Sequence, residues 1–109
     1  MEDETARRIG HNEARFRDVN EALSSSKAVV DASRLYPFRC ECGVLGCNQL
    51  VEMTMPEYEA VRAHATRFAL TDGHQIPDAE RVVERHDRYV VVQKLDDAAD
   101  VARETDPRT

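Results

Sequence analysis

The sequence predicts an α+β fold, with an amino-terminal helical arm ahead of a small domain built on an antiparallel sheet and one or two helices. Three observations carry that reading. Ile9, Phe16 and Leu23 recur every seven residues, with Asn12 and Val19 between them, which is the seam of a helix. Thr54-Met55-Pro56-Glu57 has the form of a capping box: a Thr cap, Pro in the first turn and Glu at the third helical position. Runs rich in valine and aromatics, at 49–53, 67–71, 82–83 and 89–92, have the length and composition of strands.

The first helix is expected over residues 4–23. Its seam admits two uses. Either it pairs with a second chain, with Asn12 setting the register, or it lies on its own domain with Asn12 at the edge. Gly10 inside the helix costs about 1 kcal/mol relative to Ala. Ser24, Ser25 and Ser26 mark a loop, and residues 27–34 offer a second short helix around Ala28, Val29, Val30 and Ala32. Pro37 starts an extended piece from Phe38 to Cys42, and 49–53 is the next strand. The capped helix should run to about His64, with Met55, Tyr58 and Val61 on its apolar face. Arg67 to Thr71 follows as a strand, and Asp72-Gly73 turns the chain to deliver His74. Val82-Val83 and Tyr89 to Val92 flank Arg85-His86-Asp87-Arg88 as a hairpin. The end, 96–109, offers a helical turn or two around Ala98, Ala99, Val101 and Ala102 and then frays. The chain divides on this reading into an arm and linker (1–35), a domain (36–95) and an acidic, partly disordered tail (96–109).

At 109 residues, with 6% aromatics and no Trp, the core must be small and aliphatic, and such cores often lean on a metal, disulfides or a partner. The net charge is −6, and no segment has a basic excess: 1–39 holds seven basic and seven acidic side chains, 40–95 six and nine, 96–109 two and five. Nucleic acid is therefore a disfavoured partner despite Arg7, Arg8, Arg15 and Arg17. No stretch approaches the ~18 apolar residues of a membrane span. The acidic opening MEDETARR has no apolar run, so the expectation is a cytoplasmic protein whose thiols stay reduced.

In that setting three cysteines within eight residues point to metal before disulfides. Cys40, Cys42 and Cys47 are separated by one and then four residues, with Gly43 and Gly46 between them to let the backbone turn around a common point. Zn²⁺ takes thiolates tetrahedrally, and three of them leave one position to fill. His11, His64, His74, His86 or a carboxylate are the candidates. His74 is preferred because a strand and a Gly turn aim it, whereas His86 sits in a charged hairpin turn facing solvent. Glu41 and Glu52 are the carboxylates that a catalytic zinc could use, but three thiolates dull its Lewis acidity, and the H-x-E and P-C-x-x-C motifs of the nucleobase deaminases are absent. There is no phosphate-binding glycine loop, no G-x-S-x-G and no H-E-x-x-H. Glu84 with Asp87, and Glu57 with Glu59, read as solvated faces.

The order F-x-C-x-C-G-x-x-x-C, T-x-x-E-Y-E-A-V-R, R-F-x-x-x-x-G-H and V-V-E-R-x-x-x-Y-x-V-V resembles a set of small, uncharacterised, mainly actinobacterial proteins. Their amino-terminal segment is similar to H-N-E-A-R-F-R-D-V-N-E here, so the likeness spans most of 7–95. It implies that Cys40, Cys42, Cys47 and His74 belong to one module, and it brings no activity with it.

The expected function is a non-catalytic, zinc-stabilised interaction or regulatory module with no small-molecule substrate. Ile9, Asn12, Phe16, Val19 and Leu23 would meet a protein partner or a second copy of the chain. The alternative is a thiol-based redox or zinc-release sensor using the same cysteines.

Overall fold

The computed structural model describes residues 3–26, 31–44 and 46–108, and for residues 3–7 and Ile9 it describes the backbone alone. The chain is α+β. Helix α1 (Asp3–Ser24) precedes strands β1 (Tyr36–Arg39) and β2 (Leu50–Met53), then α2 (Met55–Arg62), β3 (Arg67–Leu70), β4 (Glu80–Arg85), β5 (Val90–Lys94) and α3 (Asp96–Glu104). β1 and β2 form an antiparallel ribbon with Phe38 opposite Val51, and β3, β5 and β4 form an antiparallel sheet with β5 in the middle.

Local chemistry accounts for each element. The alternation along the ribbon sends Tyr36, Phe38, Val51 and Met53 inward and leaves Pro37, Leu50 and Glu52 outside. The capping box at α2 is complete, since Thr54 Oγ1 accepts from Glu57 N–H and the Glu57 carboxylate accepts from Thr54 N–H at 2.8 Å. Tyr58 then stacks on Phe38 with ring centroids 4.5 Å apart, fixing α2 over the ribbon. As the central strand, β5 is covered on both faces, which is why Val90, Val91 and Val92 form an unbroken apolar run. A bulge at Val83 lets both Val82 and Val83 reach the core.

The two segments expected to flank the domain are packed on it. α3 buries Ala98, Ala99, Val101 and Ala102, and α1 lies against α3 and β1. Gly10 makes that approach: a Cβ there would sit 3.0 Å from Val101 Cβ, tighter than nine in ten such contacts. The face that α1 turns inward includes Glu13, Arg17 and Asn20, each at most 1% exposed, with Ala14 and Phe16 beside them. Glu13 and Glu80 both pair with Lys94. Arg17 donates to the carbonyls of Ala65 (2.6 Å) and Ala102 (2.9 Å) and lies over the Phe68 ring. The carboxyl end is held as well: Arg62 pairs with Glu21 and Asp106, and Arg108 reaches Glu21 and Glu59. Of the short helix expected at 27–34, residues 27–30 lie outside the described residues. The rest is a turn, in which Asp31 Oδ1 accepts from the Ser33 N–H and hydroxyl.

Candidate metal centre

The site lies where the ribbon meets the sheet. After β1 the chain does not turn directly back into β2; it loops out as a knuckle. Gly43 and Gly46 stand at φ 75 and 90°, a left-handed backbone that other residues adopt only with strain, and Cys47 N–H closes the loop on Val44 O at 3.0 Å. Cys40 N–H donates to Gln49 O at 3.1 Å, so the two stems of the loop remain paired beneath the cysteines. From the other side β3 ends in a turn, in which His74 N–H donates to Thr71 O at 3.0 Å, and this brings the imidazole over the knuckle.

The result is a compact donor set. The ligand atoms of Cys40, Cys42, Cys47 and His74 all lie within 4.8 Å of one another. His74 Nδ1 is 3.6 Å from both Cys40 Sγ and Cys47 Sγ. A tetrahedral ion with bonds of about 2.3 Å to sulfur and 2.0–2.1 Å to nitrogen places S and N roughly 3.5 Å apart, which these two spacings match. Two of the thiols resist ionisation on their own. Burial raises the Cys40 thiol above its ordinary value, and burial pushes Cys42 up to about 12. Converging thiols in an apolar wall thus need a local positive charge to become thiolates, and a metal dication supplies it. Cys40 Sγ also accepts the Thr71 N–H at 3.2 Å, a contact that orients a coordinating sulfur. These four residues are positioned to bind a metal ion.

Glu41 and Glu52, the carboxylates considered for catalysis, are placed elsewhere. Glu41 lies between two ligands in sequence but points into the protein, where Oε2 accepts from Asn20 (2.9 Å) and Oε1 from Ala69 N–H (3.0 Å). Its own N–H donates to Ala69 O at 3.0 Å, so Glu41 stitches the knuckle to β3. Burial raises its carboxyl to about 7 against the pull of those bonds and of Arg17 and Arg62. Glu52 is exposed on the outer face of β2. The other histidines are apart from the thiols: His11 and His64 are exposed, and His86 meets Glu84 at 2.9 Å and stacks on Tyr89.

The residues expected to face a partner are divided. Phe16 is 7% exposed, beneath the Arg39 guanidinium at 3.9 Å, so it serves the interior. Asn12 is half-buried, and the Ile9 side chain lies outside the described residues. Val19 is 53% exposed, and half-buried Leu23 borders the same groove, of about 440 Å³, with Pro37, Asn48 and Leu50 along its ribbon side. Leu50, at 62% exposure, and Pro37 were missed as surface candidates in sequence. The signal was the ribbon's alternation, which puts them on the outer face. Asn20 was missed too, and only an inward-facing polar residue on a helix could have flagged it.

No family model matches this chain, and no curated protein and no solved structure matches it. Among the described residues no helix is long and apolar enough to cross a membrane.

Proposed function

We propose that the chain is a non-catalytic, zinc-stabilised interaction module of the cytoplasm. The observation that carries this is the closed donor set: three thiols and one imidazole, all from the protein and spaced for one tetrahedral ion. Soft thiolates with an imidazole are the usual company of zinc, and four protein ligands leave no open position for a substrate or an activated water, which favours a structural role. Such a site contributes on the order of 10 kcal/mol in small domains, as much as the whole net stability of a chain this size. The surface then available to a protein partner is the groove of Val19, Leu23, Pro37 and Leu50, with a second copy of the chain as the occupant that purified protein can test.

The experiment is metal analysis of the purified protein with Cys47→Ser, His74→Ala and Leu50→Asp alongside sedimentation of each. One zinc per chain is expected in the wild type, with loss of zinc and of helicity in Cys47→Ser and weakened retention in His74→Ala. Leu50→Asp should keep its zinc and fold and lower self-association. Full zinc retention in Cys47→Ser rejects the site. Unchanged sedimentation in Leu50→Asp rejects a homodimer through the groove and leaves the zinc assignment standing.

A further inference from the structure

The four ligands are unequally protected. Cys40 and Cys42 are 0% exposed, whereas Cys47 and His74 are half-buried and line an open groove of about 560 Å³ with Val44, Gly46, Asn48 and Gly73. The hydrogen bonds are just as uneven. Cys40 Sγ accepts from Thr71 N–H at 3.2 Å, while among the described residues no backbone N–H is directed at Cys47 Sγ. An N–H···S bond withdraws charge from a metal-bound thiolate and makes it a poorer nucleophile. Access therefore singles out Cys47 from both neighbours, and hydrogen bonding sets it apart from Cys40 as well.

We infer that Cys47 is a modification site at which a hydroperoxide opens the metal centre, with Cys42 as its resolving partner. This rests on the zinc reading above and names how that site is regulated. In the first step the Cys47 thiolate attacks one oxygen of the peroxide. An S–O bond forms and the O–O bond breaks, and the departing hydroxide or alkoxide takes a proton. The sulfur is oxidised to a sulfenic acid and the peroxide is reduced by two electrons. A sulfenic acid is a poor zinc ligand, so the ion loosens on the groove side. Cys42, whose sulfur lies within 4.8 Å of that of Cys47, then attacks the sulfenic sulfur; the S–S bond forms, the S–O bond breaks and hydroxide leaves as water. Two thiolates, one hydrogen peroxide and two protons become one disulfide and two waters, with the zinc released because Cys40 and His74 are too few to hold it. The four residues between Cys42 and Cys47, two of them glycines, allow a relaxed bridge, whereas Cys40 and Cys42 are too close in sequence for unstrained geometry.

The test uses the zinc-loaded full chain, titrated with hydrogen peroxide while a chromogenic chelator reports free zinc and non-reducing peptide mass spectrometry locates the bonds. In parallel, brief labelling with N-ethylmaleimide reads intrinsic reactivity without oxidation. Cys47 should label on the order of tenfold faster than either neighbour. One zinc should appear per Cys42–Cys47 disulfide, and dithiothreitol with added zinc should restore the starting protein. Equal labelling of the three cysteines, a disulfide that excludes Cys47, or zinc release only alongside methionine oxidation would each overturn the inference. A preparation that never holds stoichiometric zinc fails the underlying metal reading instead, and metal analysis before the titration separates the two.

Discussion

Asn20 does three jobs with one amide. Its Oδ1 accepts from Arg39 N–H at 2.7 Å, and its Nδ2 donates to Arg39 O at 2.8 Å and to the Glu41 carboxylate at 2.9 Å. The amide thus satisfies both backbone groups of the last β1 residue, as a neighbouring strand would, and one oxygen of a fully buried carboxylate. Truncation would leave one buried and two part-buried groups unpaired, each costing about 1–3 kcal/mol, with partial relief from entering water. Asn20→Ala should therefore lower unfolding stability by about 3 kcal/mol, read by urea denaturation of the zinc-loaded protein. It should also weaken the knuckle, because Arg39 and Glu41 flank the first ligand. A loss within experimental error of zero would mean that the ribbon end does not depend on α1. Asn12→Ala, half-buried and outside this network, is the control expected to change little.

Between elements the decisive contact is Gly10 against Val101. Ala at position 10 gains about 1 kcal/mol of helix propensity. It also puts a methyl 3.0 Å from Val101 Cβ, an atom fixed to the α3 backbone that cannot swing aside. Overpacking of this kind costs about 1–3 kcal/mol, so Gly10→Ala should be neutral to destabilising in spite of the better propensity. In the Val101→Ala background the same change should become stabilising, and thermal melts of the four combinations read that reversal directly. Additive effects would show that α1 and α3 do not meet there. Gly10 also explains what was and was not legible in the sequence. The capping box at Thr54, the valine-rich strands and the cysteine knuckle each carry their chemistry in adjacent residues, so sequence reading reached them. That α1 lies on its own domain was one of its two readings, but the face it docks by was not legible, because periodicity searches look for apolar residues facing inward. This helix turns Glu13, Arg17 and Asn20 inward, and their partners come from β3, β5, α3 and the knuckle. Its apolar seam was real as spacing, but it is split between the interior at Phe16 and the groove at Val19. The helical turns around Ala98, Ala99, Val101 and Ala102 were legible, but their docking was not, because the close approach they pack into is made by Gly10 on a distant helix.

Over the whole molecule, the last turn of α1 and the segment after α3 are locked onto α2 by charge. Arg62 from α2, with no exposed side-chain surface, pairs with Glu21 of α1 and with Asp106 beyond α3, and Arg108 spans Glu21 and Glu59. Burial alone would raise the Glu21 carboxyl, but hydrogen bonds from Arg108 and Arg62 outweigh it and hold the group below its ordinary 4.5. Asp106 behaves alike: burial opposes ionisation, and the Arg108 N–H and Arg62 bring it below 3.8. A carboxyl with a depressed folded pKa stabilises the fold above its unfolded value, and that contribution is lost as pH falls through the folded value. The network should thus act fully at neutral pH and fade below about pH 4. Glu21 and Asp106 keep some contact with water, which screens the pairs and makes the gain modest. Glu21→Gln isolates the effect, because subtracting its urea midpoint from the wild-type value at each pH cancels other titrations, including that of Glu13, and proton competition for the metal. The wild type should be the more stable protein at pH 7, with the difference narrowing as the pH drops from 6 towards 3. A difference that stays constant over that range would mean that the pairing is satisfied equally by a neutral amide, and that the ends are held by packing of α1 on α3 instead.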